Sequence, residues 1–143
     1  MSSEIKFRAW DKKNKSFIPD DNEFKEYMIG LDGKFYRMDF YSGVSGYEDG
    51  NLIWNELEDI VLMQWTGLKD KNGKEIFVGD VIKIKCNEDI IIGHVFYKQS
   101  RCCYMINHPA GYNGSFALHT PTIAICDEFN IIGNIYQHKN LLD

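Results

Sequence analysis

The sequence predicts a mainly β protein with minor helix: a small SH3-like or related β-barrel in the C-terminal half and a β-rich N-terminal part. Three observations carry this reading. Short apolar runs alternate with turn signals along the chain. Twelve glycines against three prolines suit tight β turns better than linkers. Most informative is Thr66–Ile82, where Asn72-Gly73 lies between two hydrophobic runs and Gly79-Asp80 opens a third. Asn-Gly readily supplies the two positive φ angles of a type I′ hairpin turn, so turn chemistry and strand periodicity agree.

From the N-terminus, Ile5 to Trp10 alternates, with Ile5, Phe7 and Ala9 on one face and Lys6, Arg8 and Trp10 on the other. That is a half-buried strand. Asp11–Lys15 is a polar turn and Ser16–Ile18 a short return, ended by Pro19. Phe24, Tyr27, Met28 and Leu31 have helical spacing, but Gly30 interrupts them, leaving a short helix and an irregular strand as equal alternatives. Asp32-Gly33 is a second hairpin turn, feeding Lys34–Phe40. Ser42–Gly50 is a glycine-rich loop, expected to be the most mobile segment. Asn51–Trp54 and Ile60–Thr66 read as strands around the acidic Glu56–Asp59 link.

Beyond Gly79, strands are expected at Val81–Cys86, Ile90–Lys98 with a bend or bulge at Gly93, and Arg101–Asn107. Shorter strands follow at Ser115–His119, Thr122–Ala124 and Asn130–Tyr136, and Leu141-Leu142 tucks the terminus against the body. Short strands with glycine bends are what a small barrel needs. The chain reads as one domain of 143 residues, with a β-rich part at 1–62 and a barrel-like part at 63–143. A chain of this size buries roughly 68–70% of its unfolded surface, so it needs neither disulfide nor metal to fold. Its 44% apolar and 14% aromatic content excludes wholesale disorder.

The net charge of −5 leaves no basic footprint for nucleic acid. The densest basic stretch, Lys69–Lys74, includes Asp70 and is followed by Glu75, which reads as a solvated hairpin tip. Met1-Ser2-Ser3-Glu4 has neither a basic nor an apolar leader region, and the apolar runs are too short to span a membrane. A cytoplasmic protein without membrane attachment is expected. Cys86, Cys102, Cys103 and Cys126 are accordingly expected as reduced thiols.

Catalytic and metal patterns do not assemble. Gly67 to Gly73-Lys74 is one residue too long for a phosphate loop and carries Glu75 where a hydroxyl is needed. The cysteines form no Cys-x-x-Cys pair, and His94, His108, His119 and His138 are scattered, with His94 at best reaching Cys86 across a hairpin. Neither a metal nor a cofactor is expected. A cysteine nucleophile needs a histidine base in reach, which no spacing here identifies. Glu56, Glu58 and Asp59 sit together as on a solvated loop. Tyr97, Tyr104, Tyr112 and Phe116 could stack bases or grip a peptide, but a barrel core also needs aromatics.

Three segments resemble the YopX-like proteins of bacteriophages and prophages: Phe7-Arg8-Ala9-Trp10-Asp11, then Gln64 through Ile76 to Gly79-Asp80, then Ile132-Gly133-Asn134-Ile135-Tyr136. Residues 20–60 match no pattern. The resemblance implies a phage or prophage origin, a mostly β fold and no assigned reaction, and it transfers no catalytic residue. Its marks read structurally: Gly67, Gly73, Gly79 and Gly133 suit positive φ or close backbone approach, and Trp10 and Trp65 suit packing anchors.

The reading is a non-catalytic, phage-encoded accessory protein of the bacterial host cytoplasm, acting by binding protein: itself, or a host or phage partner. The alternatives are a nucleic-acid-binding module of SH3-like type and, third, a Cys/His enzyme. The interaction surface expected is the tip Asp70, Lys71, Asn72 and Lys74, with Tyr47 and Glu48 of the glycine-rich loop, because loop tips on rigid strands carry binding surfaces.

Overall fold

The computed structural model describes residues 4–18, 27–41, 51–107 and 115–142. Its strands run β1 (Phe7–Asp11), β2 (Ser16–Ile18), β3 (Tyr27–Ile29), β4 (Phe35–Tyr41), β5 (Asn51–Glu56), β6 (Ile60–Lys69) and β7 (Glu75–Phe77). They continue as β8 (Asp80–Cys86), β9 (Asp89–Lys98), β10 (Cys103–Asn107), β11 (Ser115–Ala117), a short helix α1 (Thr120–Ile125) and β12 (Glu128–Asn134). The mainly β class is what the strand periodicity predicted. The chain divides into two compact units, Ala9–Leu62 and a larger one of Met1–Arg8 with Met63–Asp143.

The larger unit is built on a five-stranded antiparallel sheet, order β11-β10-β9-β8-β12, curled as a half-barrel. Its core gathers Ile82, Ile84, Val95, Ile106 and Phe129 from one face of the sheet, covered by Ile76 of β7, Leu118, Ile123 of α1 and Cys126. Each such side chain contributes about 1.5–3 kcal/mol by leaving water. The strand expected at Val81–Cys86 is present within β8, where Ile82 and Ile84 point inward while Lys83 pairs with Glu128 on the other side at 3.5 Å.

Gly93 does not interrupt β9. It pairs in register with Ile82, and the expected bulge lies instead in β12, where the register shifts between Ile131 and Gly133. Gly93 is needed because a Cβ there would meet the Asn107 carbonyl oxygen at 2.4 Å. Of the other glycines singled out, Gly67, Gly73 and Gly79 have positive φ, and Gly133 lies against His138. Thr122–Ala124 is helix rather than strand: Pro121 starts the turn and the His119 ring accepts from the Thr122 N–H. The C-terminus closes as a 3₁₀ turn, Lys139–Leu142, placing Leu141 beside Gly133.

The N-terminal strand is amphipathic in an unexpected sense. Ile5 and Phe7 are exposed, while Arg8 turns inward to pair with Asp80, which is 1% exposed. The guanidinium donates to Asp80 Oδ1 at 2.5 Å and to Met63 Sδ at 3.2 Å, and lies over the Phe77 ring. The Phe77 N–H donates to Asp80 Oδ2. Burial along β1 therefore does not follow one face: Phe7 is exposed and Arg8 half-buried, while Ala9 and Trp10 are both buried.

In the smaller unit the β1–β2 hairpin buries Trp10 against Phe17, ring centroids 4.9 Å apart. The remaining strands form an antiparallel sheet in the order β3-β4-β5. Of the helical spacing read at Phe24–Leu31, Tyr27–Ile29 is strand β3, paired with Phe35–Arg37, and Phe24 lies outside the described residues. Asp32-Gly33 is the turn between β3 and β4, with the Gly33 N–H donating to the Gly30 carbonyl.

Candidate functional site

Asn72-Gly73 makes a hairpin, but not the type I′ one expected. The Gly73 N–H donates to the Asp70 carbonyl at 3.0 Å and the Asp70 N–H to the Lys74 carbonyl at 2.8 Å. Gly73 (φ 81°) is the sole residue of the loop with positive φ. This is a type I turn closed by a bulge, with Lys71, Asn72 and Gly73 as its loop. Asp70 favours it, because its Oδ1 accepts both the Asn72 and Lys74 N–H groups at 2.9 Å.

Asp70 also reaches out of the hairpin. Its Oδ2 accepts the Ile131 N–H at 3.0 Å, and the Lys71 N–H donates to the Phe129 carbonyl at 3.0 Å. The tip is thus fastened to the free edge of β12, covering an edge that would otherwise expose unpaired backbone. Asp70 is 6% exposed, so its carboxylate is spent on structure, while Lys71, Asn72 and Lys74 remain exposed on a rigid tip. Tyr47 and Glu48 lie outside the described residues. Asp70→Ala leaves three backbone donors without their acceptor and is expected to cost about 2–4 kcal/mol. Chemical denaturation would measure it; a loss under about 0.5 kcal/mol would remove the edge-fastening role.

A cavity of about 540 Å³ lies in the smaller unit, within the range of small-ligand sites. Phe17, Tyr27 and Ile60 give it apolar wall, while Lys13, Arg37 and Glu58 add charge of both signs. Asp11 also lines it, but is already engaged: burial works against its ionised form, yet donors from Asn14 and Lys13 outweigh that and hold its carboxyl below the usual range. No sequence pattern announced this cavity, because its lining comes from the β1–β2 hairpin, β3, β4 and the segment before β6, which lie apart in the sequence.

The thiols depart from expectation at one pair. Cys86 and Cys126 are joined as a disulfide, their Cα atoms 4.7 Å apart, while Cys102 and Cys103 are free. They meet because Glu128 pairs with Lys85, which brings the start of β12 alongside the end of β8. A sequence separation of 40 conceals this. His94 pairs with Val81 at the far end of the hairpin from Cys86, so the two do not combine. Burial pushes the His94 imidazole below its ordinary value. Among the described residues no group of three His, Cys, Asp or Glu side chains is arranged to hold a metal ion. Of the aromatics weighed as a stacking surface, Tyr97 is exposed and packs edge-to-face with Tyr104, 5.3 Å between centroids. Tyr112 lies outside the described residues.

Fold and surface together define a mainly β protein of two compact units, with a buried ion pair linking β1 to the Gly79-Asp80 entry and a hairpin clamped on a sheet edge. The sequence model for YopX protein matches residues 6–143, and the chain belongs to that family. Among solved structures it is similar to protein EF1440 from Enterococcus faecalis, at 22% identity and TM-score 0.64, covering 99% of this chain and 100% of that one. It is similar also to protein yopX from Bacillus subtilis, at 20% identity and TM-score 0.60, covering 96% and 97% of the two chains. At these identities the likeness concerns the fold. No curated protein matches the chain. No helix among the described residues is long and apolar enough to cross a membrane.

Proposed function

We propose that this protein is a phage- or prophage-encoded accessory factor of the bacterial cytoplasm that works by binding protein, itself included, and not by catalysis. The observation that carries the reading is the sheet of the smaller unit. Cross-strand partners share a face, so Met28, Tyr36, Met38 and Trp54 line one side. Met28 is 39% and Trp54 40% exposed, a grouping of large apolar side chains that protein contact commonly covers. Family membership supports the origin; the contact surface rests on these side chains alone.

Sedimentation over a wide concentration range tests the self-binding part. Association should be present in the wild type and weakened at least about tenfold by Trp54→Glu, the size of effect expected for an anchor residue. A wild type that stays monomeric at the highest attainable concentration would end it. A second reading, nucleic-acid binding by the tip, is supported by exposure of Lys71, Asn72 and Lys74 on a fixed hairpin. It requires affinity that falls steeply with salt and is lost in Lys71→Glu.

A further inference from the structure

We propose that Cys86 and Cys126 form a reversible redox clasp, closed by small disulfides and opened by small thiols, that fastens α1 to the end of the sheet. The clasp is independent of the binding reading above.

The positions of the two cysteines carry the argument. Cys86 is the last residue of β8, and Cys126 directly follows α1. Their Cα separation of 4.7 Å lies within the range a disulfide spans without backbone movement. Cys126 is 3% exposed within the core, whereas Cys86 is half-buried at its margin. Cys126 is therefore shielded within the core, and Cys86 is the less buried of the two.

The element they secure cannot secure itself. α1 has six residues, far below the length at which a helix is stable alone. Its buried side chain is Ile123, while Ile125 is 78% exposed. His119 anchors its first turn. Its far end is held by the sulfur pair, by the Asp127 N–H donating to the Lys85 carbonyl at 2.7 Å, and by the Asn87 N–H donating to Asp127 Oδ2 at 3.0 Å.

Opening proceeds by thiol–disulfide exchange. The thiolate of a small thiol attacks the sulfur of Cys86, the less buried of the two; the S–S bond breaks and its electron pair leaves on Cys126, which takes a proton. A second small thiolate attacks the outer sulfur of the mixed disulfide and releases Cys86 as thiolate. Two small thiols become one small disulfide, and the protein disulfide becomes a dithiol. Closing is the reverse, with the small disulfide as oxidant.

The full-length protein should be equilibrated across ratios of oxidised to reduced glutathione, alkylated and mapped by peptide mass. Under oxidising ratios Cys102 and Cys103 alone should alkylate or carry glutathione, while under reducing ratios all four cysteines should react. Reduction should lower Tm by about 10 °C and raise amide exchange in residues 120–127 at least about tenfold, with smaller change in β8 and β9. Cys86→Ser should match the reduced protein at every ratio. Should that variant fail to fold, reduced and alkylated wild-type protein provides the open state. Four reactive thiols at every ratio, or equal Tm and equal exchange in both states, would overturn the clasp.

Discussion

Replacing Asp80 with alanine should cost about 3 kcal/mol of folding stability, among the largest effects available to a single substitution in this chain. Removing one partner of a buried pair leaves the other charged and uncompensated. The lower end of the usual 3–5 kcal/mol applies because the Arg8 side chain is 21% exposed and water can partly replace the carboxylate. The Phe77 N–H also loses its acceptor. Arg8→Ala should be comparably damaging, and the double variant should cost much less than the sum. Equilibrium unfolding in urea would measure the cycle; additive losses would mean the pair is not coupled.

The same residue gives a pH signature. Burial, the largest influence, raises the Asp80 carboxyl above its ordinary value despite Arg8, the Phe77 N–H and Lys74. The folded state therefore binds this proton more tightly than the unfolded chain does. Its contribution is fully present below the unfolded carboxylate range, near 4, and is lost as pH rises through the higher folded value. Relative to Asp80→Asn, the wild type should lose stability with rising pH in that acid window and run parallel to it above. A difference that instead grew with pH would reverse the sign and exclude the burial effect.

Gly93→Ala should be equally severe for a different reason. Its Cβ would lie 2.4 Å from the Asn107 carbonyl oxygen and 2.7 Å from Ile106 Cγ2. The first of these is backbone within the neighbouring strand, so relief requires β9 and β10 to separate. A loss of about 3 kcal/mol or more is expected, at or beyond the upper end for overpacking. Gly73→Ala is the control. Nothing lies within 4 Å of its Cβ position, so only its positive φ is penalised, at about 1–2 kcal/mol. If the two substitutions cost the same, close strand approach is not what requires glycine at position 93.

Short-range chemistry made much of the fold legible. Residues 82–85 alternate because Ile82 and Ile84 meet the core with Phe129 and Val95 while Lys83 and Lys85 lie on the more open face, although Val81 on that second face is also buried. Asp70 and Gly73 mark a hairpin because a carboxylate and a left-handed glycine act within the loop itself. Errors arose where local signals were balanced or incomplete. Thr122–Ala124 is β-branched enough to resemble a strand, but Pro121 and the His119 cap favour a turn of helix. At Asn72-Gly73 the dipeptide admits two turn types, and the reach of the Asp70 side chain separates them.

The candidate site was less legible. Exposure of Lys71, Asn72 and Lys74 follows from their polarity, whereas the burial of Asp70 depends on β12, whose Ile131 lies 61 residues away. The cavity of the smaller unit likewise draws its lining from segments far apart in sequence, none unusual by itself.

The sequence by itself determined the mainly β class, the order of most strands, the turn positions and the family, because each rests on contacts between near neighbours or on motif residues in linear order. Only the tertiary structure decided that Arg8 turns inward to Asp80, that Asp70 fastens a sheet edge and that Cys86 meets Cys126. Each of those depends on partners 40 to 72 residues apart. Such pairings are fixed by strand register, and register is settled only when the whole sheet has chosen which face to bury.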